Sequence, residues 1–512
     1  MYKSVMSTNL RGIDSSIVRV EADISEGMPM FELVGFLSSE VREAKDRVRT
    51  ALRNSGYVLP VKRITVNLSP ANIKKSGSGF DLAIAIALLA ANGEIHPKSL
   101  ENTLFIGELG LDGNVHAISG ILPMVLAARD SHVKRVILPM ANYWEAMLVP
   151  GVEVYGVSHL MDVIALLNDG TKPPIPEKPA QNALANPGHD FAYIHGQEFL
   201  RKACEIAVSG MHNFLMIGPP GAGKSMIAKC IPTILPPMTM EEQLEVSKIY
   251  SVCGLFGKGD NLVSKRPFRA PHHTISSNGL AGGGTNPHPG EISLAHHGVL
   301  FLDELPEFKR ETIEILRQPL EDKVIHVSRV NGDFTFPANF MLVAAMNPCP
   351  CGHFASEDGN RCHCTKPQID RYLGKISQPL LDRMDICVSV EKVHYDDLVQ
   401  TKRNESSEEI RKRVVAALDL QRKRYEKEAY SFNSEIPAKD IPKYCALGED
   451  EQKYMEKQFQ NLGLTARTYH KVIRVARTIA DLEGTERIAI PHLMLASTFK
   501  SMDKKYWEGA LQ

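Results

Sequence analysis

The sequence predicts an α/β protein with three folded parts: an amino-terminal α/β domain, a central nucleotide-binding α/β domain and a carboxyl-terminal helical domain. Three observations support this prediction. A proline-rich stretch divides the chain, a glycine-rich loop follows an apolar strand at residues 213–217, and charge pairs at helical spacing fill the chain beyond residue 396. A chain of 512 residues has room for about three domains. We expect domains at 1–168, 190–395 and 396–512, joined by a linker at 169–189.

The composition is that of a soluble globular protein. Hydrophobic residues make up 43% of the chain and charged residues 23%, and no apolar run approaches the roughly 18 residues of a membrane-spanning helix. The first residues lack the apolar core of a signal peptide, so nine cysteines favour reduced thiols or metal ligands over disulfides. We expect a cytoplasmic protein with no membrane partner. Its net charge of −1 requires that any DNA binding come from local basic patches.

The amino-terminal part mixes strands and helices. Apolar runs of strand type occupy residues 17–22, 63–67 and 135–138, and residues 81–91 form an apolar run that we interpret as a buried helix. Four prolines fall between residues 173 and 179. Because proline favours extended chain, this stretch is typical of a linker.

The most specific motif is a phosphate-binding loop. The sequence Gly-Pro-Pro-Gly-Ala-Gly-Lys-Ser matches the pattern G-x-x-x-x-G-K-[ST] and stands between an apolar strand and a helix-compatible run. The loop residues expected to cradle the phosphates are Gly218, Pro219, Pro220, Gly221, Ala222, Gly223, Lys224 and Ser225. Backbone N–H groups and the positive end of the following helix attract phosphate, while Lys224 should reach the β- and γ-phosphates and Ser225 should bind Mg²⁺. The motif predicts that the chain binds ATP with Mg²⁺.

Two further strands end in polar residues that suit the same chemistry. An apolar strand ends in Asp303 and Glu304. Such a strand delivers a carboxylate to Mg²⁺ at its carboxyl end, so Asp303 is the expected metal ligand and Glu304 the base or orienting group for an attacking water. A second strand, at 340–346, ends at Asn347. The Asn347 amide either holds the water or γ-phosphate, or merely begins a turn before a proline.

Residues 323–336 predict a β-hairpin, because two alternating segments are joined by Asn331 and Gly332, a pair typical of a type I′ turn. Two interpretations of this hairpin remain open. It carries Arg329 or Lys323 into a central pore, or it is a surface ribbon that protects the edge of the sheet.

Motifs across residues 190–500 resemble the AAA+ ATPases of the magnesium-chelatase-like group. They are the His-Gly-Gln at 195–197, the phosphate loop, and the runs at 266–273, 289–296, 300–304 and 347–352. Residues 1–170 resemble the amino-terminal domain of the YifB/ComM branch, so the resemblance covers nearly the whole chain. It implies an ATP-hydrolysing DNA motor or helicase that forms a ring, with six subunits expected. It further implies a role in branch migration during homologous recombination in natural transformation.

The same resemblance implies roles that spacing alone does not assign. Asn347 corresponds to the first sensor of these ATPases, and Arg467 resembles the second sensor. Arg383 lies in a segment that resembles the one carrying the arginine finger, which acts on the γ-phosphate held by a neighbouring subunit. The alternative for Arg383 is a salt-bridged helix residue, since many arginines are structural.

Four cysteines are concentrated in one loop, where two C-x-C pairs are separated by ten residues. They are Cys349, Cys351, Cys362 and Cys364. Four thiolates suit a closed, structural Zn²⁺ site, although the spacing is tighter than the commoner C-x₂-C, so free thiols or a redox pair remain alternatives. The paired histidines at 272–273 and 296–297 show no regular ligand spacing, and we interpret them as structural or phosphate-facing.

Residues 74–81 and 107–120 resemble the proteolytic domain of Lon, a Ser/Lys peptidase. Ser78 falls at the nucleophile position, but the position of the partner lysine falls at Leu122. A serine hydroxyl needs a neighbouring base, and leucine cannot serve; Lys74 or Lys75 could replace it only from within hydrogen-bond reach. The resemblance implies a Lon-protease-like fold, of the ribosomal S5 domain 2-like type, used as a non-peptidase scaffold. Its basic residues either bind DNA or form an ordinary solvated face: Arg47, Arg49, Arg53, Lys62 and Arg63.

Two functions of different classes are therefore expected. The first is a cytoplasmic, ATP-driven motor acting on single-stranded or branched DNA, whose binding rests on phosphates and stacking and weakens with salt. The second is a chelatase-type AAA+ ATPase that remodels a protein partner; the chain contains no D-x-S-x-S adhesion motif, which counts against it. An ATP-dependent protease is disfavoured by Leu122.

Overall fold

The computed structural model of the protein describes residues 2–177, 188–256, 262–284, 286–329, 332–354, 362–392 and 404–507. It has an α/β architecture with a helical carboxyl-terminal region, which confirms the predicted fold class. Residues 170–177 of the predicted linker have no regular secondary structure, and residues 178–187 lie outside the described residues.

The amino-terminal region is built on a seven-stranded mixed sheet in the order β3-β4-β2-β1-β5-β8-β9. Its strands are β1 (Tyr2–Arg11), β2 (Asp14–Ser25), β3 (Met30–Val34), β4 (Arg63–Ser69), β5 (Thr103–Phe105), β8 (Arg135–Pro139) and β9 (Glu153–Val157), with β6 (Glu108–Leu109) and β7 (Val115–His116) forming a separate short hairpin. The helices are α1 (Ser39–Asn54), α2 (Asp81–Asn92), α3 (Ile121–Asp130), α4 (Tyr143–Ala146) and α5 (Leu160–Asp169). The α2 helix is buried from Asp81 to Ala91, as its uninterrupted apolar run predicts.

The central region is built on a five-stranded sheet in the order β11-β14-β17-β10-β18, in which every pair is parallel. Its strands are β10 (Phe214–Ile217), β11 (Phe268–Arg269), β14 (Val299–Leu302), β17 (Met341–Met346) and β18 (Ile386–Ser389). The β10, β14 and β17 strands are buried along their whole length, which explains their continuous apolar sequences. We call the two ends of this sheet the carboxyl edge, where the parallel strands finish, and the amino edge, where they begin.

Helices and short ribbons surround the central sheet. The helices are α6 (Glu198–Gly210), α7 (Lys224–Ile234), α8 (Met240–Val252), α9 (Ser277–Ala281), α10 (Glu291–Leu294), α11 (Arg310–Glu314), α12 (Arg317–Asp322), α13 (Lys366–Leu373) and α14 (Gln378–Leu381). The ribbons pair β12 (Gly282–Gly283) with β13 (His288–Pro289) and β15 (Val324–Arg329) with β16 (Gly332–Pro337).

The β15–β16 ribbon is the predicted hairpin, but its turn differs from the prediction. Gly332 pairs with Arg329 and therefore belongs to the second strand instead of the turn. Residues 330 and 331 lie outside the described residues. Lys323 is also not near the tip, because it ends α12 with a left-handed φ of 59° and lies at the base of the ribbon.

The carboxyl-terminal region is helical: α15 (Ser407–Arg424), α16 (Ile441–Tyr444), α17 (Glu449–Asn461), α18 (Ala466–Leu482) and α19 (Ile490–Trp507). The predicted charge pair of Glu408 and Lys412 is present on α15, at 3.1 Å. The α18 helix packs its buried face into the same hydrophobic core as β10, so this region joins the central sheet.

The amino-terminal region contacts the central one at α8 and at the β15–β16 ribbon, among other places. The backbone N–H groups of Gly120 and Leu122 donate to the carbonyl and hydroxyl oxygens of Ser251 on α8, at 3.0 and 3.2 Å. The turn between β1 and β2 meets the β15–β16 ribbon, where the Arg11 guanidinium lies 5.4 Å from the Phe334 ring centre. Across the residues given above, none of the helices has the length and apolar character needed to cross a membrane.

Candidate nucleotide site

The phosphate loop lies at the carboxyl edge, between β10 and α7. Gly221 and Gly223 have φ of 77° and 83°, in the left-handed region that favours glycine, and Gly218 passes so close to β18 that a Cβ there would lie 2.3 Å from the Val390 carbonyl oxygen. The loop needs these glycines to bring its N–H groups together. The eight residues predicted to cradle phosphates are thus consecutive around one concave turn that opens at the start of α7.

Lys224 is the first residue of α7 and is buried. Its Nζ donates to the carbonyl oxygens of Gly218 and Pro219, at 2.7 and 2.9 Å, and to Oδ1 of Asn347 at 3.1 Å. Burial lowers the pKa of Lys224 to about 8, against the opposing effect of the Asp303 and Glu304 carboxylates. The ammonium group therefore sits where phosphates would replace its carbonyl partners.

Two of the predicted Mg²⁺ ligands are in direct contact. Asp303 follows β14 at the carboxyl edge, and its Oδ2 accepts a hydrogen bond of 2.5 Å from the Ser225 hydroxyl. A hydroxyl and a carboxylate oxygen at this separation fit the ligand set of a hard cation such as Mg²⁺. The structure thus brings together Lys224, Ser225 and Asp303, which are separated in the sequence by up to 79 positions.

Glu304 follows Asp303 directly, and its side chain is exposed. Its backbone has a left-handed φ of 51°, its N–H donates to Asp303 Oδ1 at 2.9 Å, and its side chain is 59% exposed. The Nδ1 atom of His273 lies 3.5 Å from the Glu304 carboxylate. Sequence reasoning grouped His273 with structural or phosphate-facing histidines, and only the fold places it beside Glu304. The Glu304 carboxylate is therefore exposed to solvent beside His273.

Asn347 lies at the end of β17, and its amide oxygen contacts Lys224. The Asn347 amide therefore lies beside the lysine that is expected to reach the β- and γ-phosphates. Two residues further on, the loop of cysteines begins, and Gly352 packs on the phosphate loop: a Cβ on Gly352 would lie 2.4 Å from Pro220 Cδ.

The four predicted cysteines lie close together in the chain segment that follows Asn347. The Sγ–Sγ distances are 3.4 Å from Cys349 to Cys351, 3.8 Å from Cys349 to Cys362 and 3.6 Å from Cys351 to Cys362, and the four sulfurs, including that of Cys364, lie within 4.8 Å of one another. Zn–S bonds of about 2.3 Å in a tetrahedron place sulfurs about 3.8 Å apart. The donor set and spacing therefore fit Zn²⁺.

The surroundings of the Cys351 thiol lower its pKa. Burial would raise its pKa, but backbone N–H groups of His353 and His363 and the neighbouring thiols lower it to about 6. A lowered thiol pKa favours the thiolate, the form in which cysteine binds metal.

The two predicted arginines lie far from the phosphate loop. Arg383 precedes β18 at the amino edge, where its carbonyl oxygen accepts a bond of 3.0 Å from Asn213, the residue before β10. The four-residue strand β10 separates Asn213 from the phosphate loop by about 13 Å at 3.3 Å per residue. Arg383 and Arg467 both donate to the Glu321 carboxylate, Arg383 at 2.7 Å. Neither arginine reaches the nucleotide site of its own chain.

The sequence of the chain was compared with family profiles and with known proteins. Family profiles match residues 20–142 (subunit ChlI of Mg-chelatase), 190–398 (magnesium chelatase, subunit ChlI) and 404–500 (magnesium chelatase, subunit ChlI C-terminal). The chain is 41% identical over 503 residues to the competence protein ComM of Haemophilus influenzae, covering 97% of each chain. It is 40% identical over 499 residues to the protein YifB of Salmonella typhimurium, covering 96% of each.

The chain belongs to the magnesium-chelatase-like AAA+ ATPases of the YifB/ComM family. Membership in this family implies a nucleotide with Mg²⁺ as cofactor and ATP hydrolysis as the reaction, in agreement with the loop and the Ser225–Asp303 pair.

The chain also shows a weaker and shorter similarity to Lon proteases. The chain is 30% identical over 164 residues to Lon protease 2 of Bacillus subtilis, covering 30% of this chain and 28% of that protein. Ser78, at the nucleophile position, donates to the Glu108 carboxylate. Lys75 is buried and donates to the Pro70 carbonyl, and Leu122 is buried against α8. Within the described ranges, Ser78 makes no hydrogen bond to a lysine.

Some basic residues considered for DNA binding have structural partners. Arg47 is half-buried and donates to both oxygens of buried Asp81, at 2.8 and 3.0 Å. Lys62 pairs with Glu26 at 2.6 Å on the surface. The solvated-face interpretation therefore suits Lys62, while the Arg47 guanidinium is engaged with Asp81.

The histidines at 296–297 also have a hydrogen-bonding explanation. The Nε2 atoms of both rings donate to Oε2 of Glu245, at 3.0 and 2.8 Å, and the three groups could hold a metal by distance alone. However, Nδ1 of His296 accepts the Asn339 N–H at 3.0 Å, so a neutral His296 carries its proton on Nε2, the atom facing Glu245. That atom is then a donor, which agrees with the structural interpretation.

Proposed function

We propose that this chain is a ring-forming, ATP-driven motor that acts on single-stranded or branched DNA and promotes branch migration during recombination in natural transformation. The observation that carries the ring is the separation of Arg383 from the phosphate loop of its own chain. An arginine that stabilises phosphoryl transfer must approach the γ-phosphate, so a second copy must supply it. Six subunits are the expected number. The full-length similarity to ComM supports the role in transformation.

In this proposal two neighbouring subunits contribute residues to each nucleotide site. Lys224 exchanges its carbonyl partners for phosphate oxygens, and Ser225 and Asp303 hold Mg²⁺, which neutralises charge on the phosphates when bound. Glu304 orients the attacking water and takes its proton, while Asn347 fixes the γ-phosphate. Arg383, with Arg467 beside it, stabilises the charge that develops on phosphates held by the neighbouring subunit.

The β15–β16 ribbon is the proposed DNA-contacting element. His326 and Arg329 are exposed on it, and Arg11 of the β1–β2 turn lies over Phe334. These groups can contact backbone phosphates without reading base sequence, which suits a motor that moves along any strand. Lys323 does not take part, because it lies at the base of the ribbon.

The cysteine cluster is proposed to hold one structural Zn²⁺. The sulfur spacing supports this, since three separations of 3.4 to 3.8 Å are close to the roughly 3.8 Å edge of a tetrahedral Zn²⁺ site. The metal would fix the loop that connects Asn347 to Gly352 and thereby support the phosphate loop at Pro220.

The amino-terminal domain, at residues 1–168, is proposed to be a scaffold without peptidase activity. Ser78 has a carboxylate partner instead of a lysine, and the Leu122 position is covered by α8. The linker at 169–189, the ATPase core at 190–395 and the helical domain at 396–512 complete the proposed division of the chain.

The second candidate function is a chelatase-type ATPase, because the family profiles are those of magnesium chelatase subunits. In that case the ring remodels a protein partner. A synthetic four-way DNA junction separates the two functions: the proposed motor converts it to duplex products with ATP, and Glu304→Gln abolishes the conversion. Conversion should fall steeply between 50 and 200 mM salt, because phosphate contacts release counterions. No conversion by a chain that hydrolyses ATP normally would favour the protein-remodelling function.

A further inference from the structure

The turn between β1 and β2 of the amino-terminal region lies against the β15–β16 ribbon. Gly12, in this turn, has a left-handed φ of 65°, and a Cβ there would lie 3.4 Å from the Phe334 ring and 3.5 Å from the Phe336 ring. Ile13 packs against the hydrophobic cluster to which Phe336 belongs. Because side chains alternate along a strand, the turn covers the ribbon face that carries both phenylalanines.

Arg11, the last residue of β1, adds a charged contact beside this turn. Its guanidinium carbon lies 5.4 Å from the Phe334 ring centre, and its Nη2 donates to the Asp333 carbonyl oxygen at 3.4 Å. Gly332 leaves room for the guanidinium, because a Cβ on Gly332 would lie 2.5 Å from the Arg11 Nη2. Arg11 remains exposed, so both contacts are weak ones that an anion can replace.

The ribbon is less buried towards its tip than at its base. From base to tip, burial decreases along three cross-strand pairs: Ile325–Phe336, Val327–Phe334 and Arg329–Gly332. We call residues 327–329 and 332–334 the outer half of the ribbon. A two-stranded ribbon is only marginally stable by itself in water, so the position of the outer half depends on what packs against it.

A cavity of about 680 Å³ lies beside the outer half of the ribbon. Arg11 and Gly12 line it from the amino-terminal region, Phe334 lines it from the ribbon, and Val252 and His288 line it from elsewhere in the central region. Closely packed interiors resist displacement because they contain few voids. The space beside Phe334 therefore gives the outer half room to move without compressing other side chains.

The amino-terminal region is held more firmly on α8. The buried Ser251 accepts the N–H groups of Gly120 and Leu122, at 3.0 and 3.2 Å. Its hydroxyl donates to the Glu145 carboxylate, and Leu244 of α8 packs on the hydrophobic cluster around α3. Separating these groups would leave buried polar atoms without partners, which costs free energy. The turn can therefore leave the ribbon while the region stays docked on α8.

We propose that the β1–β2 turn restrains the outer half of the ribbon, and that DNA bound to the ribbon releases it. A backbone phosphate is a stronger partner for the Arg11 guanidinium than an aromatic ring or a carbonyl oxygen, so DNA can draw Arg11 away from Phe334. The amino-terminal region thereby sets how readily the ribbon engages DNA. This inference rests on the proposed contact between the ribbon and DNA.

Hydrogen exchange of the full-length chain without DNA tests the restraint. Ile13→Ser removes apolar packing of the turn without removing a charge that could contact DNA. Amides of the outer half should exchange at least about fivefold faster in this variant, because opening then exposes less apolar surface. Arg11→Met should accelerate the same amides by about two- to fivefold, the range for an exposed cation–π contact. Amides of β17 and α8 should exchange at the wild-type rate.

Binding of fluorescein-labelled oligodeoxythymidine to the full-length chain tests the release by DNA. Ile13→Ser should lower the dissociation constant by about two- to fivefold, because a larger fraction of the molecules then presents a released ribbon. Arg11→Met serves only in the exchange experiment, since Arg11 is itself a proposed DNA contact. The matched control is Ile175→Ser, the same change at an isoleucine that is 72% exposed, which should alter neither measurement.

Each outcome has a separate meaning. Unchanged exchange of the outer half in both turn variants would overturn the restraint. Faster exchange that extends to α8 would also overturn it, because the whole region would then have undocked. Faster exchange of the outer half with an unchanged or raised dissociation constant would overturn the release by DNA. If neither the wild-type chain nor Ile13→Ser binds the oligonucleotide, the proposed function of the ribbon fails together with the release, and the exchange result alone decides the restraint.

Discussion

Replacing two cysteines of the cluster should prevent zinc binding and lower the affinity of the protein for ATP. The perturbation is the double substitution Cys362→Ser and Cys364→Ser, which leaves two sulfurs of the proposed four. Two thiolates do not close a tetrahedral Zn²⁺ site, and observed sulfur separations of 3.4 to 3.8 Å match the roughly 3.8 Å edge of that tetrahedron. The purified chain should therefore contain one zinc per molecule, and the variant should contain almost none.

The consequence for ATP follows from the loop between Asn347 and Gly352. Because Gly352 packs directly on Pro220, freeing this loop removes a support of the phosphate loop. We expect a loss of ATP affinity of about three- to tenfold, corresponding to about 1 kcal/mol or slightly more. Zinc is measured by elemental analysis and ATP affinity by calorimetry.

The matched control is Cys253→Ser, a half-buried cysteine outside the cluster, which should keep both zinc and ATP affinity. Zinc-free protein with normal ATP affinity, or zinc retained at full occupancy in the double variant, would refute the reasoning.

Three other predictions concern the nucleotide site. Arg383→Ala should keep ATP affinity but lower turnover by about 10³- to 10⁵-fold, since a finger acts mainly on the transition state; normal hydrolysis by this variant would remove Arg383 from that role. ATP affinity should be full below pH 8 and decline above it, because the pKa of free Lys224 is about 8 and phosphates bind its charged form; a dissociation constant that stays flat from pH 7 to 9 would contradict this. Gly218→Ala should destabilise the fold and abolish ATP binding, because the new Cβ would lie 2.3 Å from the Val390 carbonyl oxygen; a stable variant that binds ATP would show that the loop can shift.

The parts of the site that were predictable are those encoded in consecutive residues. The phosphate loop, the strand ending in Asp303 and the buried helix at 81–91 each depend on a short pattern whose chemistry is local. Parallel strands also finish at one edge of a sheet, so contact between Ser225 and Asp303 could be anticipated from their places at strand ends.

Long-range partners were not predictable in the same way. The Glu321 carboxylate meets arginines 62 and 146 positions further along, and Arg47 reaches Asp81 through the packing of two helices. Charged residues pair with whatever the fold brings near them, and no spacing rule encodes those distances. The hairpin was predicted in the right place but with the wrong register. The Asn-Gly pattern placed Gly332 in the turn, whereas Gly332 pairs with Arg329 and lies in the second strand.

The central claim, that ATP hydrolysis is coupled to DNA, is tested most directly by steady-state ATPase activity. The rate is measured without DNA, with single-stranded DNA and with forked DNA, and Glu304→Gln serves as the inactive control. The account predicts strong stimulation by DNA that weakens as salt is raised and is absent in Glu304→Gln. An identical rate with and without DNA, in a protein that otherwise hydrolyses ATP, would contradict it and favour an ATPase that remodels a protein partner.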